Sequence, residues 1–133
     1  MQAAVLNKVI LIGHVGQDPQ MKDLDGGKHF AVFNLATSER WKDKNGDRKE
    51  KTEWHRIVVF NEKLVEVVNK YVRKGSKLYL EGALTTRKWT DKDGIERFAT
   101  EVCLKAFHGV IELLDRKEGG GNRSPDEAYE GEA

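Results

Sequence analysis

Three tryptophans carry the strongest chemical signal in this 133-residue chain. Trp41 lies between Arg40 and Lys42. Trp54 precedes His55 and Arg56 and follows closely on Lys51. Trp89 comes directly after Arg87 and Lys88. A core tryptophan usually sits among aliphatic neighbours. These sit among charges, which points to partly exposed rings. Flat exposed rings beside cations suit a single strand of nucleic acid. Unpaired bases stack on the rings whatever their identity, at about 1–3 kcal/mol per base. Lysine and arginine meet the phosphates, and that attraction weakens with salt. One tryptophan alone would read as ordinary core. Three with the same flanks favour binding.

Strand parity sharpens the reading. Side chains alternate faces along a strand. In the segment from Glu53 to Phe60, Trp54, Arg56, Val58 and Phe60 share one face, and His55, Ile57 and Val59 share the other. Trp54 and Phe60 are then roughly 20 Å apart at about 3.3 Å per residue. Trp89 and Arg87 likewise share a face of their own strand. Parity by itself leaves Phe60 open between a binding role and a core role. It leaves the charged segment from Glu39 to Lys51 open as well. There, six bases are mixed with four acids, and a solvated hairpin explains the mixture equally well.

Apolar periodicity predicts the strands and the helix that carry these residues. Lys8 to Val15 reads as a strand with both parities apolar, so both faces should be buried. Phe30 to Thr37 and Glu53 to Phe60 read as the second and third strands. Asn45-Gly46, between them, is a hairpin-turn signal. Asn61 is placed to cap a helix. Its apolar stripe is Leu64, Val68, Tyr71 and Val72, with Arg73 and Lys74 in the last turn and Gly75 as the C-cap. Lys77 to Trp89 reads as a long fourth strand bent at Gly82, and Glu96 to Lys105 as the fifth. Three strands, one helix and two strands predict an all-β fold. The expected architecture is an OB-fold, a five-stranded Greek-key barrel with one helix between strands three and four. Residues 1–114 form the expected domain. Residues 115–133, with Gly119-Gly120-Gly121 and many acids, read as a flexible, disordered acidic tail.

Bulk composition narrows the function classes. The net charge of +1 hides an asymmetry: residues 1–114 carry +4 and residues 115–133 carry −3. A mildly basic body is compatible with a polyanion ligand. No apolar run reaches the length of about 20 residues that a spanning helix needs. The start of the chain lacks the pattern of a signal peptide. A cytoplasmic, nucleoid-associated protein with no membrane contact is the expectation. The single cysteine, Cys103, forms no intrachain disulfide and no CxxC pair. It sits between Val102 and Leu104 and reads as a buried small hydrophobe rather than a nucleophile. His14, His29, His55 and His108 show no ligand-like spacing, so neither metal nor cofactor is expected. Asp91 and Asp93 beside Gly94 are explained by turn chemistry. A small hydrolase or nuclease would need a nucleophile–base pair or a carboxylate metal cluster.

Several longer motifs sharpen the picture. Asn7-Lys8-Val9-Ile10-Leu11-Ile12-Gly13, Gly16-Gln17-Asp18-Pro19 and Leu35-Ala36-Thr37-Ser38-Glu39-Arg40-Trp41 occur in that order. Thr52-Glu53-Trp54-His55-Arg56, Arg73-Lys74-Gly75-Ser76 and Arg87-Lys88-Trp89-Thr90-Asp91 follow. From about residue 6 to residue 114 the chain resembles the bacterial single-stranded DNA-binding protein family. The resemblance implies a homotetramer of OB-folds that binds and protects single-stranded DNA in replication, recombination and repair, without catalysis. It implies base stacking on Trp41, Trp54, Phe60 and Trp89. It implies backbone contacts from Lys44, Arg56, Arg87 and Lys88, at or beside the family's basic positions. It places His55 at the contact between subunits and suggests a similar role for Tyr79.

One departure stands out. The family ends in an acidic tip with a terminal Pro-Phe that docks replication and repair proteins. This chain ends Tyr129-Glu130-Gly131-Glu132-Ala133. Recruitment through the tip is therefore not carried over. A plasmid, phage or paralogous form and a trimmed chain all fit that ending. The acidic tail could instead compete with DNA for the basic groove, so that removing residues 116–133 tightens binding at low salt. Two rival readings remain beside the enzyme: a primosomal OB-fold subunit that binds partners, and an RNA-preferring OB or cold-shock module. Filled aromatic positions favour direct DNA binding over the former. A DNA-versus-RNA competition separates the latter.

Overall fold

Alternating apolar residues set the barrel strands, and the chain folds as the periodicity predicts, with two additions. The computed structural model describes residues 5–106 and 109–114. The sequence expectations for the tail and for His108 fall outside that range. The strands are β1 (Val9–Val15), β2 (Gln20–Asp23), β3 (His29–Lys42), β4 (Arg48–Val59), β5 (Lys77–Thr90), β6 (Glu96–Leu104) and β7 (Val110–Leu113). The helix α1 (Glu62–Tyr71) falls between β4 and β5. β1, β3, β4, β6 and β5 are joined in that order, and β5 pairs back onto β1. The result is a closed five-stranded barrel with one helix, an OB-fold. β2 adds to β3, and β7 adds to β5.

Barrel pairs are antiparallel except β4 with β6, which run parallel over Ile57–Val59 and Val102–Leu104. A parallel pair needs a long crossover. Here α1 and β5 supply it. The interior is filled by Leu35, Ile57, Val59, Leu78, Leu80 and Leu104, all buried, while Val65, Val68 and Val72 from the helical segment pack into the same cluster. Asn61 caps the helix as its type predicts: its side-chain oxygen accepts from the backbone N–H of Lys63 at 3.0 Å and of Leu64 at 3.3 Å.

The structure corrects four local expectations. The buried stripe of α1 is centred on Val65, Val68 and Val72, and Tyr71 is exposed at its edge. The helix ends at Tyr71 with Val72 as its cap, so Arg73, Lys74 and Gly75 lie beyond it. Arg73 nonetheless serves the helix end, donating from its guanidinium to the carbonyls of Asn69 and Val72. The charged segment from Glu39 to Lys51 is a hairpin about Asn45-Gly46, but its strands run further than expected: the one read as ending at Thr37 reaches Lys42, and the one read as starting at Glu53 begins at Arg48. Its ladder sets opposite charges across from each other, Glu39 against Lys51 and Arg40 against Glu50. Cross-strand pairing of this kind stabilises a ribbon with no core beneath it.

The fourth correction concerns β1. Its Leu11 and Val15 face the core, but Ile10 and Ile12 are 55% and 52% exposed in the single chain. Only one face of this strand is covered.

Two glycines explain the shape. At Gly46 the hairpin between β3 and β4 turns with φ of 82°, and the Asp43 carboxylate accepts from the N–H of Asn45 and Asp47. At Gly82, β5 changes partners. It pairs with β1 up to that residue and with β6 from Ala83 onward. A Cβ there would lie 2.8 Å from the Cys103 carbonyl oxygen, so the bend has room for no side chain.

Candidate nucleic-acid interface

The ladder decides which side chains share a surface. Directly opposed residues point to the same face. Trp54 opposes Ala36, Arg56 opposes Asn34, and Val58 opposes both Val32 and Cys103. Glu101 opposes Thr85, Arg87 opposes Ala99, and Trp89 opposes Arg97. One continuous outer face of β3, β4, β6 and β5 therefore carries Trp54, Arg56, Arg87 and Trp89. The two strand faces that parity defines separately are joined in a single surface. Beneath it, Val32, Val58 and Cys103 form a small buried cluster. Cys103 is accordingly a buried hydrophobe, as its neighbours suggest.

The indoles are open to solvent: Trp41 is 47% exposed, Trp54 61% and Trp89 41%. Trp54 lies across Gly16, whose missing side chain leaves room for the ring. Phe60, just past the end of β4, stacks on Phe30 with ring centroids 5.4 Å apart and planes 26° from parallel. Phe60 is exposed at the surface, and the Phe30 ring that it stacks on is partly buried.

The remaining predicted residues are placed elsewhere. Trp41 opposes Lys49, which puts it on the other face of the β3–β4 ribbon from Trp54. It lines a separate cleft of about 500 Å³ with Arg40, Lys42, Arg48, Lys49 and Glu50. Lys44 sits in the turn at the tip of that ribbon. Lys88 alternates away from Arg87 and Trp89, opposite Phe98, and pairs with Glu96 at 3.5 Å. The structure thus groups five of the eight, Trp54, Phe60, Trp89, Arg56 and Arg87, and leaves Trp41, Lys44 and Lys88 apart.

His55 and Tyr79 occupy different surfaces. His55 has the parity of core residues Ile57 and Val59 and is half-buried, its Nε2 hydrogen-bonded to the Thr37 hydroxyl at 2.9 Å. Tyr79 opposes Ile12 on β1, beside Ile10 opposite Glu81. The Tyr79 hydroxyl donates to the Glu81 carboxylate, which Lys8 also meets at 3.0 Å. The bond from Tyr79, followed by that from Lys8, holds Glu81 below the usual carboxylate range. The same bond raises Tyr79 above its ordinary value.

Sequence reasoning misses three residues of this surface. Phe30 reads only as a strand start, although an aromatic at the same parity as Val32 is the available clue. Gly16 reads only as the first residue of the Gly16-Gln17-Asp18-Pro19 motif. Glu101 gives no signal at all, because an acid is the wrong charge for a phosphate-binding face. Yet it lies 4% exposed between Arg56 and Arg87. Among the described residues, no three His, Cys, Asp or Glu side chains gather into a group able to hold a metal ion.

Comparison with known proteins places the chain in a family. The pattern of the "Single-strand binding protein family" matches residues 6–110. A "Single-stranded DNA-binding protein" of Rhizobium meliloti (strain 1021) is 53% identical over 122 residues, which is 90% of this chain and 70% of that protein. One from Rickettsia conorii is 56% identical over 116 residues, 86% of this chain and 76% of that protein. Among solved structures, the Plasmodium falciparum SSB complex with ssDNA aligns with a TM-score of 0.77 at 44% identity, over 86% of this chain and 100% of that one. A barrel with exposed tryptophans and arginines on one sheet face, matched over most of its length by these relatives, makes this chain a member of the single-strand binding protein family.

Proposed function

We propose that this protein binds single-stranded DNA without regard to base order and protects it during replication, recombination and repair. The observation that carries the reading is the shared face of Trp54, Arg56, Arg87 and Trp89, with indoles open to solvent. Bases stack on Trp54, Trp89 and Phe60, and on Trp41 where the strand passes onto the ribbon. Arg56 and Arg87 meet phosphates on the main face, and Lys44 and Lys88 extend the basic track beyond it. The protein catalyses no reaction: it holds the strand by stacking and charge, and releases it unchanged.

The protein works as a homotetramer in the cytoplasm, close to the nucleoid. The half-exposed Ile10 and Ile12 on β1, flanked by Tyr79 and the Lys8–Glu81 pair, support association through that face. No described helix is long and apolar enough to cross a membrane. His55, half-buried beside Thr37, lies at a second contact.

Titration with oligo(dT) of several lengths, read by tryptophan quenching beside mass measurement in solution, tests the reading. Strong quenching, a preference for DNA over oligo(rU) and a mass of four chains are expected. Trp54→Ala should weaken binding by about 1–3 kcal/mol. Parent-like affinity of that variant at matched salt would overturn the assignment of its face.

A further inference from the structure

The acid in the middle of the cationic face points to a positioning role. We infer that Glu101 sets the two arginines for phosphate contact by holding each from the inside, leaving its outer N–H groups free. This rests on reading that face as the DNA surface.

The geometry is specific. One oxygen, Oε2 of Glu101, accepts from Nε–H of Arg56 at 2.7 Å and from Nε–H of Arg87 at 2.9 Å. Glu101 is buried, whereas the arginine side chains remain 41% and 47% exposed. The two arginines come from different strands, β4 and β5, and β6 carries the carboxylate between them. A guanidinium has five N–H donors in a rigid fork. Using Nε–H on the carboxylate leaves the terminal groups for a phosphate. A buried carboxylate must be paired. Here both its partners are groups that also face the solvent side.

The arrangement has three consequences. Glu101 screens the repulsion between two guanidiniums drawn to one point. It restricts their rotamers, so less freedom is given up when a phosphate arrives. It also explains why arginine occupies both positions. A lysine ammonium is a single point charge that meets either the carboxylate or the phosphate, without a rigid fork to address both.

The test compares the full chain with Glu101→Gln and Arg87→Lys, by oligo(dT) quenching titrations across a salt series and by thermal melting. Glu101→Gln removes a negative charge from the face and replaces the carboxylate oxygen with an amide oxygen, so both bonds lose their charge assistance, about half their strength. A purely electrostatic role would make it bind more tightly. Positioning predicts the opposite: binding weaker by about fivefold or more at 0.1 M salt, from a salt slope lowered by about 0.7 for each phosphate that is no longer neutralised. Arg87→Lys conserves charge and leaves Glu101 paired with Arg56. It should leave about one phosphate unmatched, with a melting temperature near the parent's. The double variant should bind no worse than Glu101→Gln by the full Arg87→Lys increment, because both act on one unit. If the parent binds while Glu101→Gln binds as tightly or more tightly, the inference falls. If Glu101→Gln does not fold, parent-like affinity and slope for Arg87→Lys overturn it instead. If the parent itself fails to bind oligo(dT), the proposed function falls and the inference with it.

Discussion

Replacing Gly16 with alanine isolates the placement of one stacking ring. A Cβ at Gly16 would lie 2.5 Å from Cζ3 of Trp54 and 3.0 Å from Cη2, whereas ordinary contact begins at 3.4 Å. The indole must therefore retreat by nearly an ångström. Trp54 is mostly exposed, so the ring can yield without disturbing the core. Its folding cost should stay within about 0.5 kcal/mol, the range of ordinary surface substitutions. Binding should suffer more. A full base stack is worth about 1–3 kcal/mol, and a ring displaced rather than deleted should lose the lower part of that, about 1 kcal/mol or roughly fivefold in affinity. Quenching titrations with oligo(dT) at fixed salt measure the loss, and thermal melting checks the fold. The decisive comparison is a double-mutant cycle with Trp54→Ala. If Gly16 acts only by making room for the ring, alanine there should cost almost nothing once the ring is gone. Additive losses would show that Gly16 contributes by another route than seating the ring.

Further outcomes concern stability. Gly82→Ala introduces a Cβ 2.8 Å from the Cys103 carbonyl oxygen, 2.8 Å from Val102 Cγ1 and 2.9 Å from Leu104 Cδ1. Overpacking of this kind costs about 1–3 kcal/mol, so Tm should fall by about 5 °C or more, and an unchanged Tm would mean the bend tolerates a side chain. Asp91 caps the β5–β6 turn, accepting from the backbone of Asp93 and Ile95, and Arg97 beside it holds its carboxyl below the ordinary value of 3.8. A depressed folded value means the contribution is complete above 3.8 and is lost as pH falls through the lowered value. Asp91→Asn should therefore be less stable than the parent in urea at pH 7, with the gap closing as pH falls below 3.8; a gap that is constant with pH would sink the assignment.

The legibility of the site follows the range of the interactions involved. Trp54, Arg56 and Phe60 could be placed on one face because parity is a property of a single strand. Arg87 and Trp89 could be paired for the same reason. That these two sets belong to one surface depends on β4 and β5 both pairing with β6, a nonlocal register with no trace in either segment. Trp41 shows the limit from the other side. Its basic neighbours resemble those of Trp54, but register places it on the opposite face of the ribbon. The turn of the ribbon is legible at Asn45-Gly46, but the reach of its strands is not, because they are held there by cross-strand charge pairs, which leave no apolar period to read. β2 and β7 escape for a related reason. Each has four residues, too few for alternation to stand out.

What the residues alone determined was the barrel class, the helix and its Asn61 cap, the hairpin turn at Gly46 and the presence of aromatic rings among cations. Each rests on local rules of period, capping or backbone freedom. Which of those rings and cations share a surface, and what stands behind them, emerges only in the folded barrel. Phe30 behind Phe60, Gly16 beneath Trp54 and Glu101 between Arg56 and Arg87 are contacts between strands distant in the chain. They exist because closing the sheet into a barrel brings those strands side by side. No pattern along a single segment encodes which residue of another strand will lie opposite.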